Sequence, residues 1–228
     1  HKSATYLKPY EAIFLSSKNI PNKKIYNSIT YRKIKPLKTL KDYSSFIIYE
    51  LHKYIKTSHV LIVQWDGYII NPSKWNDEFL NYDYIGAPFI PRINEFSYCR
   101  DTNNKFYTIG NGGFSIRSKS LMEAPSEYKL LDNSSLTNSN EDGFFCILHR
   151  NFLEKQGYKW APYRLAKNFS IESPISLLDL KNLPLGFHGR KMITLLRIKR
   201  LIDIIFFWNQ LKLSPIYDCI IKTVNKHF

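Results

Sequence analysis

HVLIVQWDGYIINP, residues 59–72, is the stretch on which the reading of this chain turns. HVLIVQ is a short, fully apolar strand, broken by Asp66-Gly67 before the chain turns apolar again. Just upstream, DYSSFIIYELHKYIKTS (42–58) places Phe46, Ile47, Leu51, Tyr54 and Ile55 on one helical stripe. The order helix, strand, turn is the pattern of α/β proteins. On spacing alone, Asp-Gly between two apolar runs favours a two-residue hairpin turn. The alternative is a ligand, because a carboxylate at the mouth of an α/β strand lies where such sheets bind small molecules.

Outward from this stretch the alternation continues. EAIFLSSK (11–18) reads as a strand with a short lead-in, and a further strand is expected ahead of residue 1. PSKWNDEFLN (72–81) reads as a short helix capped by Ser73, and YDYIGAPF (82–89) as a strand ending in a Gly-Ala-Pro turn. Residues 91–107 and 126–139 read as polar loops. IGNGGFSIRSKSLMEAP (109–125) gives a Gly-rich turn, a strand and a helix stopping at Pro125. NEDGFFCILHRNFLEKQGY (140–158) reads as one helix, capped by Asn140 and ended by Gly157. PLGFHG (184–189) closes the domain expected over 1–189. Residues 190–228 form a tail: a basic amphipathic helix with Leu195, Leu196, Ile198, Ile202, Ile205 and Phe206 on one side, then a last short helix from Pro215.

The chain has 228 residues, 44% of them hydrophobic, enough for one sizeable core. Its 16 Tyr and 15 Phe can build that core or line a sugar or base pocket. Cys99, Cys146 and Cys219 show no metal-ligand spacing, which suits a reducing compartment without disulfides. No apolar signal segment opens the chain and no run of about 20 apolar residues exists to span a membrane. The expected location is the cytoplasm. The net charge of +14 is divided unevenly: +9 over residues 1–57, −1 over 58–185 and +6 over 186–228. Basic flanks suit an anionic surface, phospholipid headgroups or nucleic-acid phosphates; solubility alone is the plainer explanation.

Four places can carry chemistry. Asp66 is the first. Asn111, Gly112 and Gly113 are the second: the glycines allow close approach to a ligand or simply a bulge, and Asn111 can donate to a hydroxyl-rich ligand. Glu141 and Asp142 are the third, stabilised in a first helical turn or, alternatively, presenting a general base. His188, between Gly186 and Gly189, is the fourth; with one carboxylate it makes a fair Mn²⁺ or Mg²⁺ site.

VQWDGYIINP, YDYIGAPF, IGNGGFSIRS, NEDGFFC and LGFHG, in that order over residues 40–190, resemble an uncharacterised bacterial family of glycosyltransferase-like proteins, named as a domain of unknown function. The resemblance implies a GT-A-like (Rossmann-like) α/β fold with a mixed, mainly parallel sheet flanked by helices. It implies a nucleotide-sugar donor, a divalent metal (Mn²⁺ or Mg²⁺) and a glycan or lipid-linked acceptor in surface-glycan synthesis (lipopolysaccharide, O-antigen or capsule). By the same resemblance Asp66 and His188 are metal ligands, and Gln64, Trp65, Asp66, Asn111, Gly112 and Gly113 bind donor and sugar. Asp142 is the first choice of base in an inverting transfer and Glu141 the second. Gln64 departs from the usual Asp-x-Asp form and leaves one acid where two are common. Trp65 is expected either to stack on a sugar or base or to pack in the core. The basic tail is expected to touch the inner face of the membrane. A nucleic-acid-binding module is the competing class, disfavoured because the distinctive blocks lie in the near-neutral centre. An inactive GT-A-like domain that binds or assembles is the third.

Overall fold

The computed structural model describes residues 2–7, 9, 11–18, 29–89, 99–132, 140–173 and 181–211, with 201–211 as backbone only. The terminal helix expected from Pro215, Cys219 and parts of both polar loops lie outside the described residues.

The fold is mixed α/β, built on three small sheets. β1 (Ile13–Ser16) pairs in parallel with β2 (Thr30–Lys33). β3 (His59–Val63), β5 (Tyr84–Ile85) and β6 (Phe114–Ser118) form an antiparallel sheet with β6 in the centre. β4 (Gly67–Ile69), β8 (Gly186–His188) and β7 (Ser170–Ile171) form the third, with β8 antiparallel to β4 and parallel to β7. Among the described residues most strand pairs are therefore antiparallel, and a mainly parallel sheet is not what these pairs make.

The hairpin reading of Asp66-Gly67 does not hold. β3 and β4 do not pair with each other; they belong to different sheets. Gln64 N–H donates to Gly113 C=O at 2.9 Å, completing the β3–β6 ladder, and a tight bend follows in which Gly67 N–H donates to Gln64 C=O at 3.2 Å. Gly67 then pairs with His188. A Cβ at Gly67 would come within 2.6 Å of Phe187 C=O, so only glycine allows this approach. Asp66 thus sits on the crossover between two sheets, and its own carbonyl accepts from Gly189 N–H at 3.0 Å.

Helices pack around these sheets: α1 (Lys2–Leu7), α2 (Leu40–Tyr49), α3 (Lys119–Glu127), α4 (Glu141–Gly143), α5 (Arg150–Lys155), α6 (Tyr163–Phe169) and α7 (Arg190–Leu211). Thr39 and Asp42 form a capping box that starts α2, and a 3-10 turn over Leu51–Tyr54 carries its apolar stripe onward. Ile47, Leu51 and Ile55 of that stripe are buried. PSKWNDEFLN forms two 3-10 turns rather than one helix; Asn71 and Asn76, not Ser73, stand at their starts. α3 begins at the Ser118 cap and runs through Pro125 to Glu127, since the proline removes one donor only a turn before the end. The helix expected from Asn140 is interrupted. Asn140 occupies the cap position without a side-chain cap bond, and a π-helical turn over Phe144–Leu148 separates α4 from α5. Gly157, at φ 96°, follows α5 as expected.

Most of the aromatic residues that can be placed serve the core. Phe79, Tyr84, Phe114, Phe144, Phe145 and Phe169 are fully buried. Phe169 meets Phe79 and Phe114 with ring centroids 5.2 and 5.3 Å apart. Cys99 and Cys146 are buried inside this core. A second, smaller cluster joins α7 to the third sheet: Met192 and Phe187 are fully buried, with Tyr68, Ile70, Leu195 and Leu196 packed on them. Arg190, Lys191, Arg197 and Arg200 stay exposed on the opposite side. Ile198, expected on the apolar side, is exposed, and the side chains of Ile202, Ile205 and Phe206 lie outside the described residues. Among the described residues no helix is long and apolar enough to cross a membrane.

Candidate functional site

A cleft of about 1660 Å³ opens where the second and third sheets diverge. Gln64, Trp65, Asn111, Gly112, Gly113, Glu141, Asp142 and His188 all line it. Its far end runs between β1 and β3, both of which have a sheet partner on one side only among the described residues.

The β3–β4 crossover sets the centre of the site. Asp66 is 9% exposed, and its Oδ1 is buried without a hydrogen-bond donor. His188 Nε2 lies 3.2 Å from that oxygen and 3.0 Å from Gln64 Oε1. Gln64 is oriented by α2: its Nε2 donates to Tyr43 O–H at 2.6 Å, which turns Oε1 toward the imidazole. Burial raises the Tyr43 phenol well above its ordinary range, so it stays neutral. With the Gln64 N–H turned away, His188 Nε2–H donates to Gln64 Oε1, and an amide oxygen, a carboxylate oxygen and one edge of the imidazole converge on one small volume. Burial pulls the His188 imidazole down, but Glu172 and Asp66 outweigh it and raise its pKa above the ordinary 6.5. Glu172 Oε1 stands 3.3 Å from Nδ1 on the other side of the ring.

Behind this centre lies a buried ion pair. Arg117 Nη2 donates to Glu141 Oε1 at 3.0 Å, and both side chains are almost fully buried. Arg117 Nε donates to Ser115 Oγ, and its guanidinium lies 4.9 Å from the centre of the Tyr84 ring and 5.3 Å from that of Phe145. Burial works against the Arg117 charge, yet Tyr84, Glu141 and Tyr43 hold its pKa above the ordinary value. Burial, with Asp142 beside it, raises the Glu141 carboxyl. Asp142 Oδ1 accepts from Gly143 N–H at 2.8 Å, at the start of the π-helical turn. Such turns recur where a helix is adapted to a functional site.

The Gly-rich segment lines the cleft and lets the site's side chains approach its backbone. A Cβ at Gly112 would collide with Glu141 and Arg117, and one at Gly113 with the His188 ring. Asn111, at φ 56°, donates through Nδ2 to the Ala87 and Pro88 carbonyls, each at 3.1 Å. Its amide donors are engaged by backbone, so Asn111 shapes the wall instead of offering hydrogen bonds to a hydroxyl-rich ligand. Trp65 does not pack in the core: it is 73% exposed at the rim, with the Arg190 guanidinium 4.8 Å from the ring centre.

Tyr43, Arg117 and Glu172 also belong to this site. Arg117 had one signal, a charge inside the otherwise apolar FSIRS strand. Tyr43 and Glu172 had none, because each reaches the site through tertiary packing.

The structure thus defines a mixed α/β domain with a carboxylate, an amide oxygen and an imidazole at a strand end, and a second acidic pair in the same cleft. The chain belongs to a family described as protein of unknown function (DUF5672), which matches residues 27–188 and so contains every one of these groups. No curated protein matches the chain.

Proposed function

We propose that the chain is a GT-A-like glycosyltransferase that moves a sugar from a nucleotide-sugar donor to a hydroxyl group of a glycan or lipid-linked acceptor, with inversion. The observation that supports this reading is the convergence of Asp66 Oδ1, Gln64 Oε1 and His188 Nε2 at the strand end, where Gln64 and His188 line the same cleft as Asp142 and Asp66 is buried behind them. The finer fold assignment rests on the order of the five sequence blocks; the glycine strand, the acidic turn and the late His line one cleft, and Asp66 is buried behind its wall against His188.

A divalent cation suits the donor set. Asp66 Oδ1 is a buried carboxylate oxygen without a hydrogen-bond donor, facing an imidazole nitrogen. No group of three His, Cys, Asp or Glu side chains arranged for a metal occurs among the described residues. Asp66 and His188 would hold Mn²⁺ or Mg²⁺, with the Gln64 carbonyl as a third donor in place of an acid. Bound there, the cation supplies positive charge against a leaving diphosphate.

The other roles belong to the chain's own side chains. Asp142 accepts the proton of the acceptor hydroxyl. The oxygen's electron pair forms the new bond to the anomeric carbon as the bond to the diphosphate oxygen breaks, and the nucleoside diphosphate departs with that pair. Glu141 is the poorer base, because its carboxylate is committed to Arg117. Exposed Trp65 offers a flat face at the rim for a sugar or base. The exposed basic side of α7 is the surface that would rest on an anionic membrane from the cytoplasmic side.

A thermal-shift screen of nucleotide sugars, with and without Mn²⁺, tests the donor site. Stabilisation that requires Mn²⁺ and is lost in Asp66→Ala is the expected result. Equal stabilisation of both proteins would take Asp66 out of the site. A wild type that responds to neither nucleotides nor Mn²⁺ would make this a domain without transferase activity.

A further inference from the structure

We propose that the far end of the cleft, between β1 and β3, is the seat of one further β-strand, supplied by an extended, mainly apolar segment of the same polypeptide ahead of residue 1. Backbone directions in both strands point to it. In β3 the even-numbered residues turn to β6: Gln64 N–H donates to Gly113 C=O, and the Ser58 C=O that leads into the strand accepts from Lys119 N–H at 2.7 Å. Alternation along the strand turns the N–H and C=O of Leu61 and Val63 the other way. On the β2 side of β1, the Ala12 and Ser16 carbonyls accept from Thr30 and Ile34 at 2.7 and 3.1 Å, so the N–H and C=O of Ile13 and Leu15 face away from β2. Ile13, Leu15, Leu61 and Val63 all line the cleft, and among the described residues no strand pairs with β1 or β3 on that side.

A sugar or a hydrocarbon in this place would leave two rows of backbone donors and acceptors unpaired, whereas a strand satisfies both. The side chains agree. β3 is apolar on both faces, as interior strands are, yet Val63 is 39% exposed, and Phe14 of β1 is 49% exposed. The path of the chain identifies the occupant. Lys56, just before β3, pairs with Glu11, just before β1, at 3.2 Å, so both strands start at the same end. Past the other end of β3, Ile69 N–H donates to Ser3 Oγ of α1 at 3.2 Å. From there α1 carries the chain back to the start of β1, which is the return path of a strand–helix–strand crossover. A strand leading into α1 lies parallel to β1 and β3, and joins the first two sheets in the order β2, β1, added strand, β3, β6, β5.

Amide exchange and interstrand NOEs, measured residue by residue on the complete natural polypeptide and on residues 1–228, test this. In the complete polypeptide the Ile13, Leu15, Leu61 and Val63 amides are expected to exchange as slowly as those of Ile62 and Gln64, with NOEs to residues ahead of residue 1. In residues 1–228 alone these four are expected to exchange about 100-fold faster, while β6 still protects Ile62 and Gln64. If residues 1–228 do not hold their fold alone, the NOEs of the complete polypeptide decide. Fast exchange of the four amides in the complete polypeptide would overturn the proposal, as would a natural polypeptide that opens at residue 1. Protection that grows with concentration and carries intermolecular NOEs would also overturn it, since a second copy would then fill the site.

Discussion

Two adjacent acids in one short turn are given different tasks by their neighbours. Glu141 is locked to Arg117 in a nearly dry environment, and Asp142 opens the π-helical turn at the cleft. Replacing each therefore has a different signature. Asp142→Asn should lower kcat by about 10²–10⁴-fold, the usual worth of a general base, while Mn²⁺ affinity holds. Glu141→Gln should instead leave Arg117 as an uncompensated buried charge and cost about 3–5 kcal/mol of stability by denaturant unfolding. If Glu141→Gln loses turnover at full stability, the assignment of the two acids is reversed. His188 gives a pH test at the same scale. Its folded-state pKa is raised, so the stabilisation from Glu172 and Asp66 is complete below the unfolded value of 6.5 and fades as pH rises through the higher folded one. Without metal, the wild type should lose stability relative to His188→Gln across that window. Parallel stability curves would show that the imidazole has no such linkage.

At the scale of elements, the apolar runs identify half of the strands, while the other four and all of the pairing come from the structure. HVLIV and FSIRS are strands as read, GFH is a strand that the sequence did not announce, and the acidic turn and the late His reach the same cleft. Which strand lies beside which depends on contacts far apart in sequence. Asp66-Gly67 reads locally as a hairpin because Asp and Gly both accept tight turns; β4 leaves for β8 because Gly67 permits the close backbone approach. The same limit hid Arg117–Glu141 and the two backbone carbonyls that engage Asn111. α7 shows the reverse case: its basic side was visible, but its anchorage was not. Met192 is fully buried against Phe187, so Met192→Ala should cost about 2–5 kcal/mol and loosen the start of the helix. A change of a few tenths of a kcal/mol by chemical denaturation would mean that α7 is not anchored there.

For the whole molecule, the carboxylates of the site come from the near-neutral centre, while His188 and Tyr43 come from the basic flanks. The near-neutral centre contributes Asp66, Glu141 and Asp142, the basic N-terminal segment walls much of the cleft, and the basic ends contribute most of the positive charge. If α7 rests on a membrane, binding to vesicles containing anionic phospholipid should weaken on going from low to physiological salt, and Arg197→Glu with Arg200→Glu should weaken it further. Binding that ignores salt and both substitutions would assign those charges to solubility. The central claim is narrower: Asp66 and His188, with the Gln64 carbonyl, form a cation site that receives a nucleoside diphosphate. Calorimetric titration of Mn²⁺, in the presence of a nucleoside diphosphate, into wild type, Asp66→Ala and His188→Gln tests it most directly. One saturable site in the wild type, lost or severely weakened in both variants, is the result this account predicts; equal binding in all three proteins, or none in the wild type, would contradict it.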